Sequence, residues 1–536
     1  MSKSKMMSGS PILTGDNAVP GLKIHKEVAA VLPQIEKACC EMGLDYYPIV
    51  VEFVRYDEMA ELASYGGFPV RYPHWRFGME YEEMSRGYEH NQYRISEMVV
   101  NCSPCYIYCM DSNTLVDNVD VIAHAIGHND FFKNNIFFEP TDENMMNKLA
   151  NHGTRIRRYM ARWGYEAVTE FIDHCLRLDT LIDPNRAWHK KKIKEAVVRD
   201  EREYTHPDRL KSHHNYMDEW VNHKSYIEKQ NENIKKKDAS NFLEIFSGSH
   251  KDILGFLKDN APLKPWQQDI ISMLYDEAMY FSPQRATKMI NEGWASFVDY
   301  HILCRKGLAA LGQPSHDAGI WHYAEHKMHV LGGKYSQNPY KLGFELLLDI
   351  EDRWNKGKFG FDYENCIYMD EKVNWNKNLG LGIQKLFEVR KNYNDFLLIQ
   401  EFFTPEFCEK KQFFEWKHFP NGEYKIVDRD FKSIKSKLLK KYLNGGLPDI
   451  RLLDPNHLGK GWFYMEHQWD GRPLHDQYAR ETITSVYRLW KNNVVLSTKN
   501  RDGIEYTYIC NGPSSDKNVH LMTRNEYENE YLKSQN

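Results

Sequence analysis

Two histidines four residues apart, His124 and His128, sit in a stretch whose apolar residues recur on one helical face. The run DSNTLVDNVDVIAHAIGHNDFFKNN reads as a helix over about 113–133, with Ser112 or Asn113 as its N-cap. At i and i+4 two side chains share a face, with Cβ atoms roughly 5–6 Å apart. Both imidazoles can therefore reach one metal ion, as in the HExxH zinc helices. Two imidazoles alone make a poor zinc site, so the fold must bring a third ligand from elsewhere. Ala125 stands where HExxH has its glutamate, so this helix offers ligands without the usual general base.

The partner is expected in Asn291-Glu292-Gly-Trp-Ala-Ser-Phe297. Glu292 offers a carboxylate, and the small Gly293 and Ala295 let two helices approach closely. Zinc on His124, His128 and Glu292 would keep an open position for water. Asp299 lies two turns beyond Glu292 on the same face and can orient a ligand. With Ala125 unable to act, the base must be another carboxylate: Glu277, Asp299 or Asp130. His326 is the candidate to stabilise an oxyanion. Asp117 and Asp120 precede the histidine pair, Asp120 by one turn. Taken singly, each of these polar residues reads equally as a cap, a surface charge or a core hydrogen-bonder.

The strands expected before the histidine helix are 97–101 and 105–110, and 48–55 reads as a strand or a short buried segment. Helices are expected over 22–42, 142–185, 339–354 and 380–400. Pro283 should break the long pattern of 265–310 into helices of about 265–281 and 284–306. Residues 186–240 turn rich in Lys, Glu, Asp, His and Asn, which predicts an exposed excursion with little regular structure. From about 400 the pattern alternates, as in an α+β domain. The expected division is a polar tail over 1–20, a mainly helical core over 21–395 and a C-terminal α+β domain over 396–536. The fold class is α+β, mostly helical, with a zincin-like core.

With 42% hydrophobic residues among 536, a sizeable core can form. A net charge of −5 gives no whole-chain case for nucleic acid. No apolar run nears the roughly 20 residues of a membrane span, and the N-terminus has no signal-like stretch. Ten cysteines do not suggest a disulfide scaffold, so a cytoplasmic location is expected. Cys102-Ser-Pro-Cys105 is a lone CxxC and reads as reduced thiols. No GxGxxG, GxxxxGK[ST] or GxSxG motif is present.

Longer motifs carry a resemblance. Tyr72-Pro-His-Trp-Arg-Phe-Gly78 looks like YPHWxFG, and Val121 to Asn135 like VxAHVxGHxDFFKNN. Thr287 to Phe297 looks like TKxMNEGWAxF, and Asn338-Pro-Tyr-Lys-Leu-Gly-Phe344 like NPYxLGF, with Asp349-Ile-Glu351 after it. Gly445-Gly-Leu-Pro448 and Thr482 to Trp490 resemble the same family's C-terminal domain. From about residue 22 to 500 the chain resembles the stage V sporulation protein R (SpoVR) family. The resemblance implies a link to spore cortex formation or, in non-sporulating bacteria, to stress response. It also implies a serine-kinase-like protein and a von Willebrand-type domain protein as partners. The family motif itself lacks glutamate at the Ala125 position. The family often has histidine where this chain has Asp299.

Two readings of function follow. One is a zinc-dependent hydrolase acting on an amide bond of a peptide or peptidoglycan precursor. The other is a non-catalytic scaffold of a kinase-containing complex, with a structural or vestigial metal site.

Overall fold

Helix α4, Leu115–Asn134, is buried on every face along most of its length. A helix apolar on one side lies at a surface; one buried all round lies at the centre of a core. The sequence predicts a one-sided helix here. The difference arises because Asp120, His124, His128, Asn129 and Asp130 are enclosed by partners from other elements. Its N-cap is Thr114, one residue beyond Asn113 and two beyond Ser112, the expected candidates. Thr114 Oγ1 accepts from the Asp117 N–H, and Asp117 accepts in return from the Thr114 N–H. That reciprocal pair decides the start, and it occupies Asp117.

The computed structural model describes residues 13–14, 23–89, 97–188, 250–311, 315–331, 338–419, 423–515 and 517–532. The helices of eight residues or more are labelled. The protein is α+β and mostly helical. In chain order come β1 (Leu13–Thr14), α1 (Lys23–Met42), β2 (Ile49–Val54), α2 (Tyr56–Ser64) and α3 (Trp75–Glu89). β3 (Glu97–Val100), β4 (Cys105–Met110), α4, α5 (Met145–Trp163) and α6 (Tyr165–Leu176) follow. Beyond them lie α7 (Ile253–Asn260), α8 (Pro265–Ala286), α9 (Lys288–Tyr300), α10 (His316–Leu331), α11 (Pro339–Lys356), α12 (Gly382–Asn392) and α13 (Asp395–Phe402). The rest comprises β5 (Glu415–His418), β6 (Tyr424–Asp428), α14 (Phe431–Tyr442), β7 (Ile450–His457), β8 (Trp462–His467), α15 (Asp476–Trp490), β9 (Val494–Lys499), β10 (Glu505–Cys510) and β11 (Val519–Thr523).

The chain divides into two compact units. One comprises residues 1–172 and 276–447, the other 173–275 and 448–536. The pattern-based boundary at 395/396 is therefore displaced. Residues 396–447 belong with the core, because Phe402, Phe403, Phe407, Ile434 and Leu438 pack into the same cluster as Ile126, Trp294 and Leu346. The 186–240 excursion lies almost wholly outside the described residues.

In the first unit a four-stranded sheet runs in the order β1-β2-β4-β3. β2 and β4 pair in parallel, Ile49 opposite Cys105, and β3 pairs antiparallel with β4, Glu97 opposite Cys109. β3 is thus an edge strand, and Glu97 opens it. Cys102, Cys105 and Cys109 are buried and free, and burial pushes the Cys105 thiol well up.

Helix α9 packs against α4 on one side and α11 on the other. A Cβ placed on Gly127 would stand 2.7 Å from the Ala295 Cα; one on Gly293 would stand 2.5 Å from the Gly343 carbonyl carbon. Ala295 therefore serves the α4 contact, whereas Gly293 serves α11. The helix break near Pro283 also differs from expectation. α8 runs through Pro283 to Ala286, and α9 begins at Lys288. The Met289 and Ile290 N–H groups each donate to the buried Asp395 carboxylate at 2.9 Å. A tertiary cap fixes the break, and it overrides the proline.

In the second unit a five-stranded sheet runs β11-β10-β9-β8-β7, with β8 and β9 parallel and the other neighbours antiparallel. The sequence places a helix at 476–491, which is α15 to within a residue, and β7, β8 and β9 fall in the alternating stretches it marks from about 400. Among the described residues no helix is long and apolar enough to cross a membrane.

Candidate metal centre

His124 and His128 lie one turn apart on α4, ring centroids 4.7 Å apart. His124 Nδ1 is 2.8 Å from Asp299 Oδ2, and His128 Nδ1 is 3.0 Å from Asn291 Oδ1. A carboxylate or an amide oxygen only accepts, so each Nδ1 carries a proton. Each Nε2 is then the nitrogen left to face a metal. This is the tautomer a metal-binding histidine needs, with the far nitrogen held by an acceptor.

Both Nε2 atoms face Glu292 of α9. Its Oε2 is 3.6 Å from His124 Nε2 and 3.3 Å from His128 Nε2. The three residues that the sequence pairs across 163 positions thus converge. Tyr340 of α11 stands near Glu292, and burial, with that carboxylate's charge, raises the Tyr340 pKa well above its ordinary value. Burial pushes the Glu292 carboxyl up, but the two histidines outweigh it and hold the group well below the usual carboxylate range.

Asp299 is fully buried behind His124. It accepts from the Tyr323 hydroxyl at 2.6 Å and from the Lys327 ammonium. Lys327 also stands 3.8 Å from Asp120 Oδ1. Burial opposes the Asp299 charge, yet Lys327 and His124 keep its pKa lowered. Asp299 therefore orients His124. With three donors around it and no exposure, it has no place to act as a base toward water.

Two other candidates turn elsewhere. Asp130 lies two residues past His128, on the opposite face of α4. It accepts from the Asp45 N–H at 2.8 Å and the Trp294 Nε1–H at 2.9 Å, and it pairs with Arg390 at 3.2 Å. Glu277 is buried against Arg71 at 2.6 Å, with His152 Nδ1 at 3.4 Å. Both carboxylates are committed to core ion pairs, which corrects their assignment as bases. His326 lies on α10, but its side chain falls outside the described residues. Tyr323 and Lys327 are the described α10 side chains that reach Asp299.

Sequence reasoning missed Glu97. Its Oε1 stands 3.6 Å from His124 Nε2, as close as Glu292 does, and its ligand atom lies within 4.8 Å of both histidines. Burial raises its pKa. A carboxylate opening the strand before a two-histidine helix was the available signal. Asn291 was legible as the neighbour of Glu292, and Tyr340 as part of NPYKLGF.

The family model described as "SpoVR like protein" matches residues 23–447, and that of the "SpoVR-like C-terminal domain" matches residues 448–501. The chain belongs to the SpoVR family. The junction of the two SpoVR matches, at 447/448, coincides with the boundary between the compact units. The chain is also 27% identical over 511 residues to the "Uncharacterized protein YcgB" of Escherichia coli (strain K12), covering 89% of this chain and 93% of that protein. No solved structure matches the chain.

Proposed function

We propose that this SpoVR protein is a zinc-dependent hydrolase with a zincin-like centre, acting on an amide bond of a peptide or peptidoglycan precursor. The observation that supports it is the convergence of His124 Nε2 and His128 Nε2 on a single Glu292 oxygen at 3.6 and 3.3 Å. The donor set fits the metal: two imidazoles of fixed tautomer and a carboxylate suit zinc. When bound, zinc supplies a Lewis acid that lowers the pKa of a water and polarises a carbonyl.

The protein's own groups divide the remaining work. Asp299 and Asn291 lock the two rings, so little reorganisation remains on binding. Lys327 and Tyr323 hold Asp299 in place. Ala125 leaves α4 without a carboxylate for proton transfer, and Glu97 is the remaining carboxylate that faces His124.

The close approach of Glu97 also favours a second reading. Four protein ligands would close the site, as in structural zinc centres, and the chain would then be a scaffold in a kinase-containing complex. Elemental analysis of purified protein, beside His124→Ala, tests the shared premise. Wild type is expected to carry about one zinc per chain and the variant almost none. Absence of zinc from wild type reconstituted with excess metal overturns the hydrolase and the structural-zinc site, and leaves a scaffold whose site is vestigial. Zinc-loaded protein that cleaves neither peptides nor peptidoglycan-precursor fragments leaves the scaffold.

A further inference from the structure

Glu97 has no role in the ligand set read from sequence, yet its surroundings are those of a ligand. Its Oε1 is 3.6 Å from His124 Nε2. That is too long for a hydrogen bond. It matches another distance well. With zinc bonds of about 2.0–2.1 Å, neighbouring ligand atoms of a tetrahedron stand about 3.3–3.4 Å apart. The Glu292 separations from the two histidines, 3.6 and 3.3 Å, fall at the same edge length. A carboxylate acting through an intervening water would stand farther off.

A second observation is independent of that distance. Glu97 Oε2 is itself buried and has no hydrogen-bond partner among the described residues. The side chain retains 24% exposure, so it is the carboxylate end that is enclosed. A buried carboxylate oxygen without a donor is costly unless a cation attends it. Among the described residues the cation nearest Glu97 is the His124 ring when protonated, and its Nε2 faces Oε1 at 3.6 Å rather than Oε2. Glu97, Glu292, Asp299 and Asp120 are acidic, and Lys327 is committed to Asp299, with Asp120 at 3.8 Å.

From these two observations, and resting on the zinc reading above, we infer that Glu97 is the fourth protein ligand of the centre. The site is then His₂Glu₂, with ligands from three separate segments: β3, α4 and α9. The ion ties the edge strand β3 to the helix pair. Four protein ligands close the tetrahedron, as in the second reading above, and a water would need an expanded, five-coordinate geometry.

The test uses full-length protein and Glu97→Gln, which keeps the shape and removes the charge. Zinc affinity is measured by competition with a chromophoric chelator, and coordination by the visible spectrum of the cobalt(II)-substituted protein. Hydrogen exchange of residues 97–100 is followed with and without zinc. Glu97→Gln is expected to weaken zinc at least tenfold, to change the intensity of the cobalt bands and to abolish zinc-dependent protection of β3. Glu97→Asp, with a shorter reach, is expected to fall between the two, and it serves alone if the glutamine variant does not fold. A variant with wild-type zinc affinity and an unaltered cobalt spectrum overturns the inference, while loss of metal in His124→Ala would still uphold the zinc reading. Wild type that takes up neither zinc nor cobalt fails at the earlier step and overturns both.

Discussion

Replacing Gly127 by alanine tests the helix pair that carries the ligands. The new Cβ would lie 2.7 Å from the Ala295 Cα and 3.2 Å from the Val298 Cβ. Non-bonded carbons settle at about 3.5–4.0 Å. The obstructing atom is backbone, so it cannot rotate aside, and α4 and α9 must part by about 1 Å. His128 follows Gly127 directly, and Glu292 precedes Ala295 by one turn, so the displacement falls on the ligand separations. Zinc tolerates bond-length errors of only about 0.2 Å. Overpacking costs about 1–3 kcal/mol, and replacing a helical glycine by alanine returns about 1 kcal/mol. The net loss of stability is then about 0–2 kcal/mol. Zinc affinity should fall by at least about tenfold, or 1.4 kcal/mol. Urea denaturation of the metal-free protein and chelator competition measure the two separately. A folded variant with zinc affinity within about twofold of wild type would refute the argument that the α4–α9 spacing sets the site.

Other outcomes follow from the same geometry. Arg390→Ala strands the fully buried Asp130, whose pKa burial already raises to about 6 against the pull of Arg390. It should cost about 3–5 kcal/mol in denaturation midpoint experiments and leave the zinc content of the folded protein unchanged; lost zinc would place Asp130 in the centre after all. Asp395 is raised to about 7 by burial, although the Met289 and Ile290 N–H groups pull it down. Its folded pKa lies above the unfolded value, so the folded state holds the extra proton and stability declines as pH rises from about 4 to 7. Asp395→Asn should flatten that slope in urea titrations, and an identical slope in both proteins would show the cap does not titrate. In metal-stripped protein, burial opposes a charge on His124, but Glu97, Asp299 and Glu292 push its pKa up to about 10. Zinc must displace that proton, so affinity should rise with pH below about 10. Calorimetry in buffers of different ionisation enthalpy reads the proton release, and none between pH 7 and 8 contradicts the shift.

The shared face of His124 and His128 was legible because spacing along a helix is local. His124 and His128 four residues apart, and Glu292 beside small residues, needed only the helical repeat to be read. Strands 105–110 and 97–101 were equally legible, the second one residue too long, since alternation and turn residues act over a few positions. Capping was misread by one or two residues, because Ser112, Asn113 and Thr114 all suit the role, and only Asp117 three residues beyond Thr114 decides among them.

What the sequence by itself determined was a set of residue types at fixed intervals: two imidazoles on one face, a distant carboxylate and two small residues for close approach. Which carboxylates face the imidazoles was decided by tertiary structure. Asp130 and Glu277 are as acidic as Glu97, and nothing local separates them. Arg390 and Trp294 claim the first, Arg71 and His152 the second, and the pairing of β3 with β4 carries Glu97 toward His124. The same holds for the break before α9, where Asp395, more than a hundred residues away, outweighs Pro283. A buried charge must be met by whatever the folded chain brings to it, and that partner has no fixed distance along the sequence.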